Sequence, residues 1–347
     1  DEKITMRLSV LNFAALFALL APKALGWSQF VDCDATADVK EGPFGAPAFK
    51  SEVVNETTVY SLLPEVSNLK LPLVAFMHGS TGQYGFYNDS LALIASHGAI
   101  VVFPFVKSPE KDKSPFTTNT DGKFLVKAIE WAKQANEDPG SHLYGRVDTD
   151  KIIVAGHSMG ATCTINAAHT LKSDPSTILA FAMHPGICGP FGPPPCPACW
   201  RSETLLEVAK EMPVFMTTAT NDGAFWPAPL TAKHEFGCFK KAFGEPDEPV
   251  ADDEIQNTAF VQFNEDVCEE DGEREPLVKD GGHNCPMKRV DGGAPEMSVL
   301  LKAVKLYGQQ GGKTSSKCFD LLYGDNDVEG SLQALNVTDY LDTRIKA

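Results

Sequence analysis

Continuous apolar runs separated by stretches of helical periodicity dominate the chain. "LPLVAFM" (71–77), "AIVVFPF" (99–105), "KIIVAG" (151–156), "TILAFAM" (177–183), "MPVFMTTA" (212–219) and "TAFVQF" (258–263) each read as a buried strand. The segments between them read as helices. "FYNDSLALIASHG" follows the first run, and in "GKFLVKAIEWAKQANED" (122–138) Phe124, Leu125, Ala128, Ile129 and Ala132 share one face opposite lysines. A stretch of small residues after Ser158 reads as another helix, and a last amphipathic helix carries Met297, Leu300, Leu301, Val304 and Tyr307. Strands apolar on both faces that alternate with helices predict an α/β fold, a mostly parallel central sheet with helices on both faces. In such sheets reactive groups collect at the carboxyl ends of the strands.

Candidate chemistry falls at those ends. "KIIVAG" runs directly into Gly156-His157-Ser158-Met159-Gly160, a Gly-x-Ser-x-Gly frame between a strand and a helix. Small residues on either side allow a turn tight enough to present the Ser158 hydroxyl above the sheet. Asp222, in "MPVFMTTATNDGAFWP", follows an apolar strand within a turn-forming Thr-Asn-Asp-Gly stretch. His283 lies in the glycine-flanked "KDGGHNCP" after the last strand. The chain order Ser158, Asp222, His283 is that of an α/β-hydrolase triad. A neutral imidazole takes the hydroxyl proton, and the carboxylate fixes its tautomer and stabilises the imidazolium. His78, His157 and His184 also close strands but precede the acid, while His97, His142, His169 and His234 fall in helical or surface contexts. Asp247, Asp252, Asp253 and Asp266 do not close an apolar strand.

A tetrahedral intermediate needs two preorganised N–H donors. The backbone of Met159, directly after the nucleophile, supplies one. The loop after the first strand, "MHGSTGQYGFY", supplies the other through Ser80, with Thr81 as the alternative. Thr81, His184, Phe225 and Trp226 are the candidates for lining an apolar substrate pocket.

These segments resemble α/β-hydrolase esterases of the chlorophyllase and polyester-hydrolase (cutinase-like) branch. "MHGSTGQYGFYNDSLALIASHGAIVVFP" and "DTDKIIVAGHSMGATC" are similar to the corresponding chlorophyllase segments, and the likeness covers about residues 50 to 310, thinning after residue 186. The resemblance implies the α/β-hydrolase fold and a serine carboxylesterase without cofactor or metal. Met159 departs from plant chlorophyllases, which usually carry a basic residue there, and agrees with polyester hydrolases. Cys285 resembles a disulfide position of polyester hydrolases, although Ala219 stands where that family has the partner cysteine. "GICGPFGPPPCPACWRSET" resembles neither family.

Composition narrows the setting. The chain has 347 residues, with 30 basic against 46 acidic ones and a formal net charge of −16. Such acidity repels phosphate backbones and disfavours nucleic acid as a partner. Met6, Arg7, the apolar "VLNFAALFALLAP" and the small residues Ala24 and Gly26 read as a leader and signal peptide over 1–26, removed to leave one domain over 27–347. The apolar run is short for a membrane span, so no stable anchor is expected in the mature chain. There are nine cysteines. Cys163, inside the helix after Ser158, reads as a small buried thiol. Cys33, Cys188, Cys196, Cys199, Cys238, Cys268, Cys285 and Cys318 form an even set suited to disulfides of open pairing. "CPAC" has redox spacing but lacks the strand-to-helix setting of a redox motif. The Pro/Cys-rich segment at about 186–201 reads as a rigid rim or lid. Sequons at Asn55, Asn88 and Asn336 fit passage through the secretory route.

The expected activity is serine carboxylic-ester hydrolysis through an acyl-enzyme on a hydrophobic ester, chlorophyllase-like first. Cutinase-like polyester hydrolysis or lipase activity is the alternative, and a non-catalytic hydrolase-fold binding protein the alternative of a different class. Secretion is the expected destination. A plastid reached through the signal peptide is the alternative, because Trp27 resembles the aromatic that opens algal plastid-targeting segments.

Overall fold

The computed structural model describes residues 41–54, 57–65, 69–80, 82–105, 121–185, 202–219, 222, 235, 239–240, 242–245, 248–249, 256–263, 295–312, 321–322 and 342–344. The apolar runs become strands of one mixed sheet. In chain order the strands are β1 (Ala48–Val54), β2 (Thr57–Leu63), β3 (Leu71–Met77), β4 (Ile100–Phe105), β5 (Val147–His157), β6 (Thr177–Met183), β7 (Val214–Ala219), the short hairpin β8 (Gly244–Glu245) and β9 (Glu248–Pro249), β10 (Thr258–Phe263) and β11 (Asp342–Arg344). The nine-stranded sheet has the order β1-β2-β4-β3-β5-β6-β7-β10-β11. Strands β4, β3, β5, β6, β7 and β10 run parallel, and the outer pairings β1–β2, β2–β4 and β10–β11 are antiparallel. This is the expected α/β-hydrolase architecture.

The unbroken apolar character of the central strands follows from burial on both sides. Along β3, Leu71, Leu73, Ala75 and Met77 join one core, and Val74 and Phe76 join the other. The same alternation divides Ile152 and Val154 of β5 from Ile153 and Ala155. Helices α2 (Lys123–Glu137), α3 (Met159–Leu171) and α4 (Ser202–Glu211) cover the first face. Helices α1 (Tyr84–Ser96) and α5 (Pro295–Ala303) cover the second, α5 continuing into a π-turn over Val304–Gln309. Fully burying a branched aliphatic side chain contributes about 1.5–3 kcal/mol, so these two layers hold the sheet rigid beneath the strand ends.

β1 and β2 go beyond the strands expected from the pattern. β1, "AFKSEVV", is an edge strand with Phe49 and Val53 exposed, so it carries neither a continuous apolar run nor a clean alternation. Cys163 is buried and not in a disulfide, as expected. The leader (1–26), the Pro/Cys-rich segment (186–201) and every other cysteine lie outside the described residues.

Candidate active site

β5 ends at His157, α3 begins at Met159, and Ser158 is the single residue between them. Its φ of 56° and ψ of −121° lie outside the comfortable regions for an L-residue. The surrounding fold holds it there. The Ser158 N–H donates to Met183 O at 2.8 Å, and Ser158 O accepts from the N–H groups of Ala161 (2.9 Å) and Thr162 (3.2 Å). The glycine frame allows this turn. A Cβ on Gly156 would collide with the backbone of Gly160, and one on Gly160 with the Met77 and His78 carbonyls. Glycine at both positions thus lets α3 start directly against the ends of β5 and β3.

The loop after β3 comes equally close. A Cβ on Gly79 would sit 3.2 Å from both Ser158 Cβ and His157 Nδ1. The Gly79 carbonyl accepts from His78 Nδ1 (2.6 Å) and from the Gly82 N–H (3.0 Å). In a trans peptide the following N–H points opposite to the carbonyl, so these two bonds also set the direction of the Ser80 N–H. Met159, as the first residue of α3, has an N–H without an intrahelical acceptor. Loop and helix start thus approach the Ser158 side chain from two directions. Thr81, the alternative donor, lies outside the described residues.

Three buried ionisable side chains meet beside this turn. His184, the residue after β6, has φ 47°, and its N–H donates to Thr217 O at 2.8 Å. Its Nδ1 lies 2.8 Å from Asp222 Oδ2 and its Nε2 lies 3.0 Å from Glu296 Oε1, with no side-chain exposure in any of these pairs. Burial pushes an imidazole pKa down, but the hydrogen bonds and charges of Asp222 and Glu296 outweigh it and raise His184 to about 10. A histidine on Asp222 resembles the base of a triad, yet His184 cannot serve as one near neutral pH. It already carries its proton, and the nitrogen a base would use is bonded to Glu296. The ring also meets His157 edge-on, with centroids 5.9 Å apart.

The expected site residues divide accordingly. Ser158, Met159 and Ser80 converge on the ends of β5 and β3. Asp222 is fully buried just past β7, its N–H donating to Ala219 O at 3.1 Å. His184 has no exposed side-chain surface and is held by carboxylates, so it does not line an open pocket as expected. His283, Phe225 and Trp226 lie outside the described residues. The sequence reading missed Glu296, at the start of the last amphipathic helix, and Tyr87, whose hydroxyl lies between Gly79 and His157. An acidic residue in a first helical turn is ordinary, and a tyrosine within an apolar face reads as core. Neither carries a local signal of its partner. Among the described residues no cluster of three or more His, Cys, Asp or Glu side chains is arranged to hold a metal ion.

The chlorophyllase family model matches residues 51–186. No curated protein matches the chain. The matched segment runs from β1 to just past β6, and so includes Ser80, Ser158 and Met159 but neither Asp222 nor His283. Residues 51–186 are thus similar to the chlorophyllase family, a family of carboxylic ester hydrolases, and the sheet topology is that of an α/β-hydrolase.

Proposed function

We propose that the chain is a serine carboxylesterase that works through an acyl-enzyme on a hydrophobic ester. Ser158 Oγ attacks the ester carbonyl, His283 takes the hydroxyl proton and returns it to the leaving alcohol, and Asp222 orients His283. The N–H groups of Met159 and Ser80 receive the developing oxyanion. Water, activated by the same histidine, then releases the acid. The observation that carries this reading is Ser158 itself, a non-glycine residue at φ 56° between a central parallel strand and the helix that follows it. Strain of this kind persists only where the surrounding structure imposes it, and here it places a hydroxyl at the start of a helix.

A hydrophobic substrate is supported by an aromatic row running toward the loop. Phe49, which is exposed, stacks on Tyr60 and Tyr84; Tyr84 meets Phe103; and Phe103 and Phe105 flank His78, two residues before Ser80. Chlorophyll is the leading substrate, on the family match, and polyester or lipid esters are the alternatives, on Met159. The apolar leader and the sequons support passage through the secretory route, and no helix among the described residues is long and apolar enough to cross a membrane.

The test is a serine-directed organophosphate, followed by peptide mapping of the adduct. It should label Ser158 stoichiometrically and abolish hydrolysis of chlorophyll, p-nitrophenyl esters and polyester film alike. Ser158→Ala should lose several orders of magnitude in rate. Near-wild-type turnover in that variant would leave the non-catalytic binding protein as the better reading.

A further inference from the structure

Tyr87 is fully buried on α1, and its hydroxyl joins two segments that are not contiguous in sequence. It accepts a hydrogen bond from the Gly79 N–H at 3.0 Å and lies 2.8 Å from His157 Nδ1. Burial pushes the phenol pKa up, so the hydroxyl keeps its proton at any working pH. The phenol oxygen thus accepts from Gly79 and shares a second hydrogen bond with His157 Nδ1, whose direction follows the His157 tautomer. Gly79 and Gly82 both lie against this hydroxyl. A Cβ on Gly79 would lie 3.4 Å from it and one on Gly82 3.1 Å.

The two joined segments are those that carry the candidate oxyanion donors. Gly79 immediately precedes Ser80, and His157 is two residues before Met159. The Gly79 N–H is bonded to Tyr87, while the Gly79 carbonyl is bonded to His78 and Gly82. Both peptide groups flanking Gly79 are therefore oriented, and beyond the β3–β5 pairing that ends at Met77 and Gly156 the Tyr87 hydroxyl links that orientation to His157 at the end of β5. Oxyanion stabilisation depends on donors lying 2.7–3.1 Å from a position reached only in the transition state. A shift of a few tenths of an ångström between the two segments would leave substrate binding intact and weaken that step.

Resting on the carboxylesterase reading above, we propose that Tyr87 is a positioning residue for the oxyanion hole, its hydroxyl setting the spacing between the Ser80 and Met159 N–H groups. The experiment is Tyr87→Phe, which keeps the ring and deletes the bridge. Rates are taken per active site titrated with organophosphate, so that a misfolded fraction does not count. The expected result is a ten- to hundredfold fall in kcat with KM within twofold, and the same factor lost in affinity for a trifluoromethyl ketone, which mimics the tetrahedral adduct. His157→Gln, which retains a hydrogen-bonding group for the phenol, should keep more activity than His157→Leu. If Tyr87→Phe does not fold, the comparison of the two His157 variants decides by itself.

Unchanged kcat per titrated site overturns the proposal, whether or not thermal stability falls, because a purely structural tyrosine would lower only the titratable fraction. Equal activity in the two His157 variants overturns it as well. Failure of the esterase reading is recognisable separately: Ser158→Ala would then retain turnover, whereas a dead Ser158→Ala beside an unaffected Tyr87→Phe removes the positioning role alone.

Discussion

His184 is the buried charge whose removal has a computable signature. Its raised pKa, about 10 in the folded protein against 6.5 for an ordinary histidine, makes folding stability depend on pH. The folded state binds the proton more tightly than the unfolded one. The stabilisation is therefore complete below pH 6.5 and is lost as pH rises toward 10. At ~1.36 kcal/mol per pH unit, the linkage relation gives about 4–5 kcal/mol at pH 6, about 3 kcal/mol at pH 8 and under ~0.5 kcal/mol at pH 10. Breaking a buried ion pair costs about 3–5 kcal/mol by independent reasoning, which agrees with the acid-side figure. His184→Asn is the suitable perturbation, because asparagine tolerates the left-handed backbone at φ 47° yet does not titrate. Urea unfolding followed by tryptophan fluorescence at pH 6, 8 and 10, on both proteins, gives the difference directly. Lysines and tyrosines titrate in both and cancel. The gap between wild type and variant should be several kcal/mol at pH 6 and should close as pH rises. A gap that stays constant within about 0.5 kcal/mol would falsify the assignment of a charged His184.

Two further outcomes concern the turn at Ser158. Gly160→Ala would drive a methyl group into the Met77 carbonyl, forcing α3 away from β3; kcat/KM should fall about a hundredfold and thermal unfolding should shift down, as measured by steady-state kinetics and calorimetry. Ser80→Pro deletes an assigned oxyanion donor and should cost roughly 2.7–4 kcal/mol of transition-state stabilisation on short and bulky esters alike, whereas Met159→Ala, which keeps its N–H, should cost only about 1–2 kcal/mol and mainly on bulky esters. Equal kcat/KM values for folded Ser80→Pro and wild type would move the second donor to Thr81.

What the sequence revealed and what it concealed follow from the range of the forces involved. The strand run 71–77 was legible because burial on both faces leaves no polar position in β3, and Ser158 because the collisions that forbid a Cβ at Gly156 and Gly160 leave a glycine on each side of it. The edge strand β1 was not legible, since a strand exposed on both faces needs no hydrophobic pattern. His184 is the instructive failure. Its site depends on Asp222 and Glu296, 38 and 112 residues away, and no local spacing encodes such a meeting. Local rules even oppose its conformation. A residue preceding proline favours extended backbone, and a non-glycine residue resists positive φ, yet His184 precedes Pro185 and sits at φ 47°. That conformation persists because the Thr217 carbonyl holds the N–H while two buried carboxylates hold the ring. Ser158 and His184, ending the neighbouring strands β5 and β6, are the non-glycine residues with positive φ among those described. The first announces itself through its glycines. The second is strained by partners that only the folded chain brings together, which is why a reader of the sequence sees a nucleophile there and misses the charge beside it.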